Sequence, residues 1–141
     1  MGPSTRQRQP IVIAHRGASG YLPEHTFEAK RLAHETGADY LEQDVVASSD
    51  DELVVLHDIH LDRVSNVTSV FAGRHRGDGR YYARDFTMDE LRRLEVHERT
   101  HADGSLVYPG RHQGDATVYR LHTLAEELAF IARLNDELER T

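Results

Sequence analysis

Ile11-Val12-Ile13-Ala14-His15-Arg16-Gly17 opens the stretch that decides the fold, and Tyr40-Leu41-Glu42-Gln43-Asp44-Val45-Val46 closes it. The first four residues are β-branched or small and read as a buried strand, ended by the polar His15-Arg16 pair. A loop with Gly20 and Pro23 follows. Thr26 is placed to cap a helix whose Ala29, Leu32, Ala33 and Thr36 recur at helical spacing, and Gly37 is placed to end it. Tyr40 to Val46 is the next strand. Strand, helix and strand in that order predict a parallel α/β sheet or barrel, because parallel neighbours need a crossover connection.

Working outward, Ser48-Ser49-Asp50-Asp51 is a turn signal, and Leu53-Val54-Val55-Leu56 reads as a strand that hairpins back and ends at His57-Asp58. Residues 59–86 are rich in Gly, Arg and Asp, with scattered apolar positions. Residues 97–120 are again irregular, so a polar excursion is expected over about 59–120. Thr87-Met88-Asp89-Glu90 and Thr123-Leu124-Ala125-Glu126 both match the capping box. The first leads into Leu91 and Leu94, the second into a helix with Leu128, Ile131 and Leu134 as its stripe. Residues 1–10 read as a disordered leader ahead of one partial domain spanning 11–141.

The chain has 141 residues, the size of one domain, and carries a formal charge of −7. That balance fits non-specific nucleic-acid binding poorly. It leaves open a small anionic substrate held by a local guanidinium or a cation. Without cysteine there is neither a disulfide nor a thiolate metal site. No apolar run reaches the length of a membrane span, and Met1 to Pro10 lacks the apolar core of a signal peptide. The expected place is therefore the cytoplasm, or the exterior for a form whose export signal is missing.

Three features carry chemistry. Glu42 and Asp44 stand two apart on a strand, so both carboxylates project from one face. They are either ordinary acids on a half-exposed strand or a pair held together by a hard cation. His15 and Arg16 follow the C-terminal end of a strand, where α/β enzymes place their sites. A guanidinium matches the geometry of a phosphate and an imidazole moves protons near neutral pH. His57 and Asp58 close a third strand. Together the set suits metal-assisted phosphoester cleavage. Arg74, His75, Arg76, Arg80 and Arg84 read as a solvated basic face, with Tyr81-Tyr82 and Phe86 anchoring the excursion. His34, His97, His101 and His112 read as surface residues, and the sequon at Asn66-Val67-Thr68 is too short a pattern to use.

His15-Arg16-Gly17-Ala18-Ser19-Gly20-Tyr21-Leu22-Pro23-Glu24-His25-Thr26 resembles the opening motif of glycerophosphodiester phosphodiesterases. Glu42-Gln43-Asp44 is similar to their metal-binding motif and His57-Asp58 to their second catalytic motif. His25, where many members have Asn, and the stretch from Leu61-Asp62-Arg63-Val64 to Arg80-Tyr81-Tyr82-Ala83 resemble the bacterial periplasmic branch. The resemblance implies a TIM (β/α)8 barrel with its site at the C-terminal face. By position it implies His15 and His57 as general acid and base, Arg16 as the phosphate-binding residue and Glu24 as a support for the loop. Glu42 and Asp44 would ligate one divalent cation, Ca²⁺ or Mg²⁺. The implied reaction converts a glycerophosphodiester, such as glycerophosphocholine, into an alcohol and glycerol 3-phosphate. In it a glycerol hydroxyl attacks phosphorus, and water opens the cyclic phosphate that results.

A TIM barrel takes about 250 residues, so the expectation for these 141 residues is the N-terminal part of a truncated barrel. The family's third metal carboxylate, with a Lys nearby, would fall on the strand expected after Thr141. Two further readings stand beside the hydrolase: a sphingomyelinase-D-like or phosphoinositide-specific enzyme of the same chemistry, and an inactive or weakly active remnant that only binds.

Overall fold

The computed structural model describes residues 9–112 and 115–138, so the expected leader at 1–10 lies almost wholly outside the described residues, as does the strand expected after Thr141. β1 (Ile13–Ala14) pairs in parallel with β2 (Tyr40–Leu41), Ile13 opposite Tyr40 and Ala14 opposite Leu41. Between them runs α1 (Phe27–Glu35), capped as expected: Thr26 Oγ1 accepts from the Ala29 amide at 3.2 Å. Gly37, with φ of +92°, donates to the His34 carbonyl and turns the chain out of the helix.

The expected strand from Tyr40 to Val46 is divided. Its first part is β2, and its second is β3 (Val45–Ala47), which pairs antiparallel with β4 (Leu53–Val55) in the expected hairpin. Residues 42–44 are the crossing point. The Glu42 amide still donates to Ala14 O at 3.1 Å, whereas the Asp44 carbonyl already accepts from the Leu56 amide at 3.1 Å. The chain changes neighbours here, and Glu42, Gln43 and Asp44 belong to neither strand.

β1 is not the buried strand expected. Ile11 is 67% exposed and Ile13 61%. β2 is its only strand partner among the described residues, and a parallel strand is buried only when further strands and helices cover it.

The stretch 59–120 is not the polar excursion expected, because it supplies most of the core. Leu61, Val64, Val67, Phe86, Leu91 and Leu94 are fully or almost fully buried and pack with Val54 and Leu56 at β4. They sit on α2 (Val67–Val70), a 3-10 turn (Ala83–Asp85), α3 (Met88–Leu91) and the loops between them. Phe86 and Tyr81 are anchors, as expected. The basic stretch is paired off locally: Arg74 with Glu90 (2.5 Å), Arg76 with Asp85 (2.7 Å), Arg80 with Asp62 (2.8 Å) and Arg84 with Asp51 (2.6 Å). Such exposed pairs are screened by solvent and add little to stability.

Both capping boxes form, at Thr87 for α3 and at Thr123 for α4 (Leu124–Glu137). The inward stripe of α4 is rotated from the expected one. Leu128 is exposed, Glu127 and Leu134 are fully buried and Ile131 is half-buried, and the helix packs against α1 and β4. His34 is likewise not on the surface. It is buried between α1 and α4, with Nε2 2.7 Å from Asn135 Oδ1. Among the described residues no helix is long and apolar enough to cross a membrane.

Candidate active site

The loop that leaves β1 is held open by two residues in the left-handed region, Arg16 and His25, each with φ of 63°. The His25 amide donates to the Arg16 carbonyl at 3.0 Å, closing the loop at its base. Gly17 sits between them and α1. A Cβ there would lie 2.9 Å from the Ala29 carbonyl carbon, so only glycine lets the loop touch the helix backbone.

This loop reaches the crossing point of the second strand. The Arg16 amide donates to Glu42 Oε2 at 2.8 Å. The Arg16 guanidinium lies between two acids, with Nε 3.8 Å from Asp44 Oδ2 and Nη1 3.1 Å from Glu24 Oε2. Arg16 Nε is buried with no hydrogen-bond partner among the described residues. His25 Nε2 is 3.2 Å from Asp44 Oδ2. Burial, with the Lys30 ammonium nearby, pushes His25 down to about 4, so it is neutral at pH 7. The contact is then Nε2–H donating to a carboxylate. Glu42 and Asp44 lie outside both strands, and each binds the loop through one oxygen.

His57 and Asp58 join from the end of β4. His57 Nδ1 is 2.5 Å from Asp58 Oδ1, which turns Nε2 away from that carboxylate. Asp58 Oδ2 in turn accepts from Arg99 Nη1 at 2.5 Å, and Arg99 Nη2 donates to Glu24 Oε1 at 2.6 Å. One continuous run therefore links His57, Asp58, Arg99, Glu24 and Arg16, with Glu42 and Asp44 attached through Arg16. Burial raises the Glu24 and Asp58 carboxyls, but hydrogen bonds and charge from their partners, Arg99 foremost, outweigh it and hold both below their usual values. His15 is exposed at the end of β1. Its main-chain carbonyl accepts from Ser19 Oγ at 3.0 Å, and its imidazole is not part of the run.

Arg99 carried no signal in the sequence. It belongs to the irregular segment Glu98-Arg99-Thr100, and only the packing of the supposed excursion brings it to Glu24 and Asp58. Lys30 was hidden for the opposite reason, since a lysine within a helix reads as an outward residue.

The charges favour a cation. Two guanidiniums, of Arg16 and Arg99, face four carboxylates, of Glu24, Glu42, Asp44 and Asp58, a formal excess of two negative charges. One divalent ion balances that excess, and hard carboxylate oxygens are the donors such an ion takes. The number of donors is short, because among the described residues no group of three His, Cys, Asp or Glu is arranged to hold a metal.

The profile of the glycerophosphoryl diester phosphodiesterase family matches residues 15–141. The chain belongs to that family. It is 47% identical over 127 residues to a glycerophosphodiester phosphodiesterase of Haemophilus influenzae, an alignment covering 88% of this chain and 35% of the relative. Among solved structures it superposes on a glycerophosphodiester phosphodiesterase of Agrobacterium tumefaciens with a TM-score of 0.63 and 27% identity, over 89% of this chain and 44% of the other. It also superposes on an Oleispira antarctica phosphodiesterase solved with the product sn-glycerol-3-phosphate, with a TM-score of 0.61 and 28% identity, over 89% and 41%. The chain spans about a third of the length of the curated relatives it matches. Its α/β arrangement is part of their TIM barrel, with no closed barrel among the described residues.

Proposed function

We propose that this family member carries the phosphate- and cation-handling part of a glycerophosphodiester phosphodiesterase, which cleaves glycerophosphodiesters such as glycerophosphocholine to an alcohol and glycerol 3-phosphate. The observation that carries the reading is the run from His57 to Arg16, which joins the loops after β1 and β4 beside the Glu42–Asp44 pair. The product bound to the Oleispira antarctica relative agrees with the choice of substrate.

In this reading Arg16, whose guanidinium lies between Glu24 and Asp44, binds the phosphodiester. Glu42 and Asp44 would hold Ca²⁺ or Mg²⁺, which when bound polarises the phosphoryl oxygen and offsets its charge. Asp58 fixes the His57 ring through Nδ1, leaving Nε2 to exchange a proton with the attacking glycerol hydroxyl or the leaving alkoxide. His15, exposed at the end of β1, is the second proton carrier. Glu24 and Arg99 hold the two loops at a fixed separation. The likeness to the periplasmic branch extends the proposal to an exported enzyme.

The test is release of glycerol 3-phosphate from glycerophosphocholine. The expected result is turnover with Ca²⁺ or Mg²⁺ that is abolished by a chelator and by His57→Ala. Turnover unaffected by both would overturn the reading. A second reading, an inactive remnant, is favoured because among the described residues no group of three His, Cys, Asp or Glu is arranged to hold a metal. Its signature is no calorimetric Ca²⁺ binding and no product formed, whereas Ca²⁺ binding lost in Asp44→Asn supports a working site.

A further inference from the structure

We infer that Lys30, Glu127 and His122 form a buried positioning relay that fixes the main chain of Glu42 and ties α4 to the candidate site. Lys30 has no exposed surface, although it stands on α1 among residues that could have packed an apolar side chain. Burying an ammonium and a carboxylate costs several kcal/mol per ion before pairing, so the pair calls for a reason other than cohesion.

The reason lies at the crossing point of the second strand. β2 ends at Leu41 and β3 begins at Val45, so the Glu42 carbonyl falls between two ladders. Its hydrogen bond comes from Lys30 Nζ. The same ammonium pairs with Glu127 Oε1 of α4 at 3.1 Å, and neither side chain is exposed. The other Glu127 oxygen binds His122 Nε2. The His122 ring is stacked on Phe27 at the start of α1, with centroids 3.8 Å apart and planes 15° apart. Four segments meet here: α1, α4, the segment before α4 that bridges to β4, and the strand crossing. A leucine at position 30 could fill the space, but it could not bond a carbonyl in one direction. With that carbonyl fixed, the Glu42 side chain is aimed at the Arg16 amide. Lys30 is thus a positioning residue, acting through Glu42.

The importance of Glu42 rests on the function proposed above, whereas the positioning itself can be read without it. The test is the double variant Lys30→Met with Glu127→Leu, which removes both charges and keeps the packing apolar, an exchange that buried ion pairs commonly tolerate. Amide hydrogen exchange at Arg16 is followed by NMR, with the amides of Val54 and Leu134 as controls, and Ca²⁺ affinity by calorimetry. The expected result is Arg16 exchange about tenfold faster with the controls unchanged, and Ca²⁺ affinity about tenfold weaker. Parental exchange at Arg16 in the folded double variant would overturn the inference. Should the parent chain bind no Ca²⁺, the metal reading fails while the Arg16 amide still decides this one. His122→Phe keeps the ring on Phe27 and removes only the bond to Glu127, so it serves if the double variant does not fold. Exchange at Arg16 about threefold faster supports the relay, and an unchanged rate overturns it.

Discussion

Arg16 and His25 share a φ of 63°, and a non-glycine residue held there costs about 1 kcal/mol or more. Both are kept there by partners: the Arg16 amide by Glu42, its side chain by Glu24, and the His25 ring by Asp44. Gly17 between them carries a stricter demand, because the clash of an added Cβ is with the α1 backbone. Gly17→Ala is expected to lower stability by about 2 kcal/mol or more, measured as a fall in the urea midpoint. Arg99→Met leaves Glu24 and Asp58 without their main countercharge, and the expected loss is about 3 kcal/mol. In the same variant Asp58, the acid that orients His57, loses the guanidinium that holds it, so any phosphodiesterase turnover should fall while substrate binding through Arg16 changes less. A ratio of kcat to KM effects showing the reverse would contradict that role.

The sign of the acid response follows from the same run. The Glu24 and Asp58 carboxyls lie below their ordinary values of 4.5 and 3.8. As pH falls below about 4.5 the unfolded chain takes up these protons before the folded one does. The stability they contribute is therefore complete above the unfolded values, and is lost as pH falls through the lower folded ones. Urea midpoints measured from pH 7 to pH 3 should fall most steeply at the acid end. Glu24→Gln should lie lower at pH 7 and slope less.

At the scale of elements, α3 and α4 begin with complete capping boxes, and each satisfies amides that would otherwise be unpaired. Thr123→Ala is expected to cost about 1 kcal/mol. Because α4 carries Glu127, fraying of its first turn should also be felt at Lys30, and circular dichroism with the Arg16 amide rate would report both. The irregular 59–120 region behaves as an element in its own right. Val96 bridges Ser65 on one side and Tyr119 on the other, so a stretch without a regular period forms a packed layer against β4.

At the scale of the molecule, β1 and the two residues before it present Ile11, Val12 and Ile13 to solvent, and β2 is the only strand partner of β1 among the described residues. An apolar strand edge of this kind is a template for pairing with another chain. The 141-residue chain should associate as its concentration rises, and Val12→Lys should suppress this, as read by sedimentation. A monomer of unchanged mass at all concentrations would rule the edge out as a contact. By itself the sequence determined whatever depends on neighbours along the chain. Thr26, Thr87 and Thr123 cap because a hydroxyl reaches amides two or three residues on, and Gly37 ends α1 because it can adopt positive φ. Only the tertiary structure decided what depends on distant partners: the change of neighbours at residues 42–44, the core supplied by an aperiodic excursion, the inward turn of Lys30 and Glu127, and the arrival of Arg99 at Glu24 and Asp58. A buried charge looks like a surface charge until its counterion is placed beside it, and that counterion lies far away in the sequence.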